Sequence, residues 1–253
     1  MSRPEPPRET PAETSRDLVA FIRANTRPSP VLSIPDIRLY QADEVTPLWL
    51  LTEKDMDRSR LAPPFWAFAW SGGQALATYV LDHPEVVAGK RVLDLACGSG
   101  LVGIAAMQAG AACVLCNDID PYAEAAVWLN AELNGVRIDF LSGDLLAGAV
   151  PDVDIILAGD ICYEKTMTDA MLTFLGRAKV QNATVLVGDP HRTYFPSEGS
   201  FGGFRKLADY SVRTIADIED VAEKPAAVWE LVRWQNTITT STMSNSPPPI
   251  SDR

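Results

Sequence analysis

The sequence predicts an α/β fold of the doubly wound, Rossmann-like kind, with a seven-stranded sheet that ends in an antiparallel β-hairpin. Short segments rich in Val, Ile and Leu alternate with stretches of helical periodicity, which is typical of a parallel sheet covered on both faces. A glycine-rich segment leaves the first of these strands. Near the end of the chain, two strand-like segments follow one another without a helix between them, and this order predicts the hairpin.

The strands and helices are predicted from these patterns. The parallel strands are Arg91–Ala96, Cys113–Cys116, Arg137–Leu141, Val153–Ala158 and Ala183–Val187. The hairpin strands are Tyr210–Ala216 and Ala226–Trp234, joined by the acidic turn Asp217–Lys224. The most distinct helix is Pro121–Asn134, because Asp120 can cap it and proline suits its first position. Further helices are predicted at Met167–Ala178 and Ser197–Asp209.

The two ends of the chain differ in composition from this middle part. Residues 1–30 contain six prolines among charged residues and are expected to form a flexible tail with a short helix at Ser15–Thr26. Residues 236–253 are rich in Ser, Thr and Pro, a composition typical of disorder. The domain itself is therefore expected over residues 31–235, and it begins with a small accessory segment. That segment is expected to contain a hairpin of two strands, Ile37–Tyr40 and Leu48–Thr52.

Charge and composition exclude several classes of function. The 253 residues include 22 Lys and Arg against 33 Asp and Glu, a net charge of −11, which argues against nucleic acid as a partner. No apolar run reaches the roughly 18 residues of a membrane span, and no secretory leader is recognisable. Four cysteines and the absence of any zinc-binding spacing predict a cytoplasmic protein without a metal. We expect a monomer.

The glycine-rich segment predicts a nucleoside site. Gly98, Gly100 and Gly103 form the pattern GxGxxG, where missing side chains let a ligand approach the backbone. The same pattern occurs in dinucleotide sites, where the glycines hold a pyrophosphate. Asp94, however, lies inside the strand that enters this segment. A carboxylate there suits the cationic ammonium and sulfonium of S-adenosylmethionine better than a pyrophosphate.

Further acids follow the next two strands. Asp118, at the end of the second strand, can accept hydrogen bonds from both ribose hydroxyls, and Asp144, after the third strand, can accept one from the adenine amino group. A single acid at a strand end is as often a cap or a turn residue. Three such acids after successive strands, together with the glycines, predict that the chain binds an adenosyl group.

These residues carry a resemblance to a known family. The segment Asp94–Gly100 followed by Asp118 resembles the first motifs of the class I (seven-β-strand) S-adenosylmethionine-dependent methyltransferases. Within that class, Asp160–Tyr163 resembles the Asp-x-x-Tyr signature of the protein lysine methyltransferases, and Pro64–Trp70 resembles their tryptophan segment. The most specific resemblance is to the electron-transfer flavoprotein β-subunit lysine methyltransferases, through Asn117–Pro121, Gly159–Tyr163 and Asp189–Pro196.

The resemblance implies S-adenosylmethionine as cofactor and a lysine of the electron-transfer flavoprotein β subunit as methyl acceptor. Asp160 is the expected catalytic residue that holds the ε-ammonium, and Tyr163 is expected to orient the amine. The implied cofactor-binding residues are Trp70, Asp94, Ala96, Gly98, Ser99, Gly100, Asp118, Ile119, Asp144, Leu145 and Gly159. The implied substrate-binding residues are Trp66, Pro190 and Arg192. His191 departs from the family pattern, in which a small residue such as glycine is expected.

Other interpretations remain open at this point. The acceptor could instead be a ribosomal protein or a small molecule, and a regulatory domain could bind the cofactor without turnover. Asp160 could cap the next helix, Asp189–Pro196 could be an ordinary turn, and Trp66 with Trp70 could form a helical core stripe. Cys113 and Cys116 have the CxxC spacing, but on a strand their side chains point to opposite faces and cannot share a metal.

Overall fold

The computed structural model describes residues 11–42, 63–196, 202–214 and 221–234. The helices of these residues are α1 (Pro11–Asn25), α2 (Ser71–Asp82), α3 (Leu101–Gln108), α4 (Pro121–Leu133) and α5 (Lys165–Val180). Their strands are β1 (Arg27–Val31), β2 (Ile34–Gln41), β3 (Arg91–Leu95), β4 (Cys113–Asp118), β5 (Asp139–Ser142), β6 (Ile155–Gly159), β7 (Thr184–Asp189), β8 (Gly202–Arg213) and β9 (Glu223–Trp234). None of the described helices combines the length and the apolar character needed to cross a membrane.

Seven of the strands form one sheet in the order β5-β4-β3-β6-β7-β9-β8. The pairs among β3 to β7 are parallel, whereas β9 runs antiparallel to both β7 and β8. The structure therefore confirms the predicted doubly wound fold with a terminal hairpin. The strand order reverses between β3 and β6, and in such sheets ligands bind outside the carboxyl ends of the strands at that point.

Alternating apolar residues bury both faces of the sheet. Val92 and Ile155 pack with α2 and α3 on one face, while Leu93 and Ile156 pack with Phe174 of α5 on the other. This alternation is the reason that the parallel strands have a nearly continuous apolar sequence. The core fixes the strand ends rigidly, so residues that follow them are held in defined positions.

The N-terminal helix α1 packs on α4. Ile22 of α1 is fully buried, and the rings of Phe21 and Tyr122 meet edge to face at 5.2 Å. The expected short helix is present as α1. Ile37–Tyr40 lies in β2, which pairs with β1; the predicted partner Leu48–Thr52 lies outside the described residues, so that pairing stays a prediction. Two prolines in β1 obscured its strand character, and proline is compatible with an edge strand.

The predicted helix Ser197–Asp209 is wrong from residue 202 onward, where β8 begins; residues 197–201 lie outside the described part of the chain. Leu207 lies three residues after Phe204, a spacing that also fits a helix. Pairing with β9 from Gly202 to Arg213 overrides this local preference. The predicted turn Asp217–Lys224 lies mostly in residues that are not described.

Two local predictions on β4 and α4 are confirmed. Cys113 is exposed and Cys116 is buried, as expected for residues on opposite faces of a strand. Asp120 caps α4, because its Oδ1 accepts a hydrogen bond of 2.9 Å from the backbone N–H of Tyr122. This cap leaves Asp118 as the acid at the strand end that is available to a ligand.

Candidate active site

A cavity of about 630 Å³ opens at the carboxyl ends of β3, β4 and β6. Its volume lies within the range of small-molecule and cofactor pockets, and its location is the point where the strand order reverses. The glycine-rich segment, the loops after β4 and β5, the end of β6 and the aromatic segment before α2 form its walls. The cavity is therefore the candidate functional site.

The glycine-rich segment turns sharply between β3 and α3. Gly98 and Gly100 have φ angles of +50° and +76°, which favour glycine because a side chain would be strained there. A Cβ on Gly100 would also lie 2.9 Å from a methyl carbon of Val127. The backbone N–H of Gly98 donates a hydrogen bond of 2.9 Å to Oδ2 of Asp118. The two predicted motifs therefore hold each other in place.

Asp94 is a buried carboxyl group at the base of the cavity, with 1% of its surface exposed. Its Oδ2 accepts a hydrogen bond of 2.8 Å from the N–H of Gly103. Burial raises the pKa of Asp94 to about 7, and the nearby Asp118 adds to that effect. A bound cation beside Asp94 would favour its ionised form. The position therefore suits a positively charged ligand group.

The loops after β4 and β5 form the wall on the nucleoside side. Asp118 and Asp144 both line the cavity, and between them Ile119 presents an apolar side chain that is 71% exposed. Asp144 also stabilises its own turn, since its Oδ1 accepts from the N–H of Leu146 at 2.7 Å. The sequence analysis missed Asn117, whose side-chain amide donates to the carbonyl oxygen of Leu141 at 2.6 Å and fixes this wall.

Asp160 follows β6 and is held on two sides. Its Oδ2 accepts a hydrogen bond of 3.0 Å from the N–H of Gly72 at the start of α2, and its Oδ1 accepts one of 2.7 Å from Nε of Arg192. Its φ of +59° is unusual for a residue with a side chain and is typical of functional sites. The alternative role as a helix cap is wrong, because Glu164 caps α5.

The loop after β7 brings Arg192 to Asp160. Asp189 is buried, and its Oδ1 accepts a hydrogen bond of 2.8 Å from the backbone N–H of Arg192. Burial raises the pKa of Asp189 to about 7. His191 has a φ of +61°, which explains why a small residue was expected there. Asp189 was missed as a separate site residue, although it opens the Asp189–Pro196 segment.

Close backbone contacts seat α2 on the strand ends. A Cβ on Gly188 would lie 2.1 Å from the carbonyl oxygen of Gly72, and a Cβ on Gly159 would lie 2.7 Å from Cα of Gly73. Only glycine permits this approach, which aims the N–H of Gly72 at Asp160. The adjacent glycines at 72 and 73 were the available signal in the sequence, and they were missed.

Aromatic rings line the cavity beside Asp160. The ring of Phe65 lies 5.2 Å from that of Tyr163 and 5.7 Å from that of Trp70, measured between centroids. Nε1 of Trp70 donates to the carbonyl oxygen of Phe65 at 2.9 Å. Tyr163 is partly exposed, and burial of its remaining surface raises the pKa of its hydroxyl. The structure therefore gathers one predicted catalytic residue and one predicted cofactor residue around Phe65, which the sequence analysis did not select.

The predicted substrate residues Trp66 and Pro190 are not exposed for contact. Trp66 borders the cavity, but its indole is 2% exposed and stacks on Tyr122 at 5.7 Å between centroids. The alternative in which Trp66 and Trp70 form a stripe on one helix is wrong. The 3₁₀ turn Phe65–Ala67 ends before Trp70, and α2 begins after it. Pro190 is buried outside the cavity lining.

The other predicted site residues converge on the cavity, with one exception. Those that line it are Trp70, Asp94, Ala96, Gly98, Ser99, Asp118, Ile119, Asp144, Leu145, Gly159, Asp160, Tyr163 and Arg192. The exception is Gly100, which is buried just before α3 and shapes the turn. The individual roles of these residues in binding and catalysis stay predictions.

Comparison with known proteins identifies the family. An electron transfer flavoprotein beta subunit lysine methyltransferase of Xenopus laevis is 36% identical over 228 residues, which span 88% of this chain and 89% of the relative. This chain belongs to the electron transfer flavoprotein beta subunit lysine methyltransferase family. The human protein of the same name is 34% identical over 219 residues, covering 84% of this chain and 81% of its own length.

Two further similarities cover a part of the chain and the fold. A family model described as Ribosomal protein L11 methyltransferase (PrmA) matches residues 74–163, from α2 to the Asp160–Tyr163 segment. The crystal structure of a Pyrococcus horikoshii protein, described as a proposed RNA methyltransferase, superimposes with a TM-score of 0.52 at 17% identity and covers 71% of this chain and 96% of its own. At that identity the similarity concerns the fold alone.

Proposed function

We propose that the protein transfers methyl groups from S-adenosylmethionine to the ε-amine of a lysine in the electron-transfer flavoprotein β subunit. The observation that carries the proposal is the similarity to relatives named for this activity, which extends over 88% of the chain. The 228 similar residues far exceed those matched by the L11 methyltransferase model, residues 74–163.

The cavity has the features that this cofactor requires. The turn at Gly98 lets a ligand approach the backbone, the carboxylate of Asp118 can accept hydrogen bonds from ribose hydroxyls, and Ile119 offers apolar surface to a base. Asp94 supplies negative charge for an ammonium or sulfonium group. When bound, the cofactor would supply a methyl group attached to a positively charged sulfur. Transfer of this methyl group releases a neutral thioether, which is a good leaving group. The task of the chain is then to align the acceptor and exclude water.

The side of the cavity near Asp160 suits a lysine. A carboxylate has about four lone-pair sites, so Asp160 can still accept a hydrogen bond from an amine while it binds Gly72 and Arg192. The rings of Phe65 and Tyr163 can flank the aliphatic stem and the cationic end of a lysine side chain. This arrangement favours an amine as acceptor over an acid or a hydroxyl group.

A methyl-transfer assay tests the proposal. The full chain is incubated with radiolabelled S-adenosylmethionine and, separately, with purified electron-transfer flavoprotein, ribosomal protein L11 and free lysine. We expect label on lysines of the flavoprotein β subunit, located by mass spectrometry of its peptides. The match of residues 74–163 to the L11 methyltransferase model makes L11 the second candidate. Label on L11 or free lysine alone would overturn the proposed acceptor, and binding without transfer would indicate a regulatory domain.

Affinity for the cofactor is expected to fall as the pH is lowered from about 8 to about 6. Because burial raises the pKa of Asp94 to about 7, the free protein takes up a proton there below neutral pH. A cationic ligand favours the ionised carboxyl group, so each pH unit below 7 weakens binding by up to about tenfold. Calorimetric titrations at several pH values measure this slope.

The control variant for this pH dependence is Asp94→Asn. Asp120 also lines the cavity, and its pKa is raised to about 6 by burial, so it contributes part of any slope. The variant removes only the contribution of Asp94. We therefore expect its affinity for the cofactor to change clearly less with pH than that of the wild type. A wild-type affinity that stays constant or rises at acid pH would exclude the role assigned to Asp94.

We further propose that the protein works in a reducing compartment, the cytoplasm. All four cysteines are free thiols, which is the usual state in such a compartment.

A further inference from the structure

A lysine must lose a proton before it can accept a methyl group. The ordinary pKa of its amine is ~10.4, so at neutral pH almost all of it is an ammonium ion without a lone pair. A buried carboxylate beside this ammonium would stabilise the charged form and hold the proton on. Asp160 is such a carboxylate, with 5% of its side chain exposed. The site therefore needs a feature that offsets the charge of Asp160.

Arg192 provides a positive charge in direct contact with Asp160. Its Nε lies 2.7 Å from Oδ1 of Asp160, and 26% of its side chain is exposed. The loop is set in this position by Asp189, which accepts a hydrogen bond of 2.8 Å from the backbone N–H of Arg192. Because Arg192 lines the same cavity as Tyr163, its charge acts on an acceptor bound there.

We propose that Arg192 is a positioning residue that neutralises Asp160 and thereby makes the bound acceptor lysine easier to deprotonate. This inference rests on the proposed function and deepens it. Asp160 keeps its ability to orient the amine through a hydrogen bond, but its charge is shared with Arg192 rather than with the substrate. Asp160 can thus orient the acceptor amine without strongly stabilising its ammonium form.

Within the described ranges of the chain, the other ionisable groups recorded beside Asp160 do not replace Arg192. From the same segment as Asp160 come Cys162, Tyr163 and Glu164, and from β7 comes Asp189; Asp118 of β4 acts on Tyr163. Each of these side chains is neutral when protonated and negatively charged when deprotonated, so none can supply a positive charge. From α2, the backbone N–H of Gly72 contacts Asp160. Loss of Arg192 would therefore leave negative charge that favours the ammonium form of the acceptor.

The transfer step follows from this arrangement. The acceptor ammonium releases one proton to solvent, and the neutral nitrogen then forms a bond to the methyl carbon. The carbon–sulfur bond breaks as this bond forms, and its electron pair remains on sulfur. The product nitrogen carries one more methyl group and the positive charge that sulfur has lost. Of these events, Arg192 affects only the first, the release of the proton from the acceptor ammonium.

The test is the pH dependence of the single-turnover rate, measured with the full enzyme saturated with S-adenosylmethionine and with the flavoprotein. We expect the wild-type rate to rise with pH. The pH at the midpoint of this rise should lie at least about one pH unit below the ordinary lysine pKa of ~10.4. In Arg192→Gln we expect this midpoint to move up by about one unit or more. In Arg192→Lys, which keeps the charge, we expect it to stay near that of the wild type even if the rate falls.

Two results would overturn the inference. One is a rate in Arg192→Gln that falls by the same factor at every pH, which indicates a purely structural role. The other is a wild-type midpoint near 10.4, which decides the question even if Arg192→Gln does not fold. Binding of S-adenosylhomocysteine to each variant checks that the site is intact. If the wild type transfers no methyl group to any lysine, the proposed function itself fails, and the two failures are therefore distinguishable.

Discussion

Replacement of Asp160 with Asn is expected to lower the single-turnover rate of methyl transfer at least about 100-fold. The carboxylate accepts hydrogen bonds from Gly72 on one oxygen and from Arg192 on the other. An amide has only one oxygen, so its NH₂ group must face one of these donors. The amine of the acceptor loses its oriented partner, and Arg192 loses its contact with a carboxylate at this position. Rapid-quench measurements with radiolabelled cofactor give the rate.

The matched control for this prediction is Asp169→Asn. Asp169 is an exposed carboxylate of α5 that pairs with Lys165 at 2.8 Å and does not line the cavity. We expect its rate to remain within about twofold of the wild type, since exposed pairs contribute little. Affinity for S-adenosylhomocysteine should change by less than about threefold in Asp160→Asn. A variant that keeps most of its rate would show that Asp160 does not hold the acceptor.

Replacement of Gly188 with Ala is expected to destabilise the fold by about 3 kcal/mol, at the upper end of the range for overpacked sites. The added Cβ would lie 2.1 Å from the carbonyl oxygen of Gly72 and 2.8 Å from Cβ of Leu76. Because one of these atoms belongs to the backbone, α2 must move away from β7. For a chain of this length, the melting temperature would fall by about 6 to 12 °C, which differential scanning calorimetry measures.

The matched control for the stability prediction is Gly148→Ala. A Cβ at this position would approach only the carbonyl oxygen of Leu145, at 3.6 Å, which is an ordinary contact. We expect its melting temperature to change by no more than about 3 °C. Equal melting temperatures for Gly188→Ala and the wild type would contradict the close contact of α2 with the sheet. Reduced cofactor affinity in Gly188→Ala is a second expectation, since Gly73 of the displaced helix lines the cavity.

Features with a local cause could be predicted from the sequence. The strand β3, the left-handed turns at Gly98 and Gly100 and the cap of α4 by Asp120 each depend on residues close together in the chain. The positions of Asp94 and Asp118 follow from the rule that ligands bind at the carboxyl ends of parallel strands. For this reason Asp94, Gly98 and Asp118 lie together on one cavity, as expected, while their roles in binding stay predictions.

Features with a long-range cause could not be predicted in the same way. The contact of Gly72 with Gly188 and the pair of Arg192 with Asp160 join residues far apart in the chain, and neither leaves a periodic pattern. The strand β8 forms because β9 lies beside it, although the local spacing of Phe204 and Leu207 also suits a helix. Trp66 is a different case, since the family resemblance implied a substrate residue and the structure buries its side chain.

The central claim is that the Asp160 side of this cavity methylates lysines of the electron-transfer flavoprotein β subunit. The most direct measurement is the intact mass of that subunit, purified from cells with the gene, without it, and without it but supplied with the Asp160→Asn variant. We predict that the subunit from cells with the gene is heavier by whole methyl groups on lysine, and that the other two samples lack this mass. Equal masses in all three samples would contradict the claim.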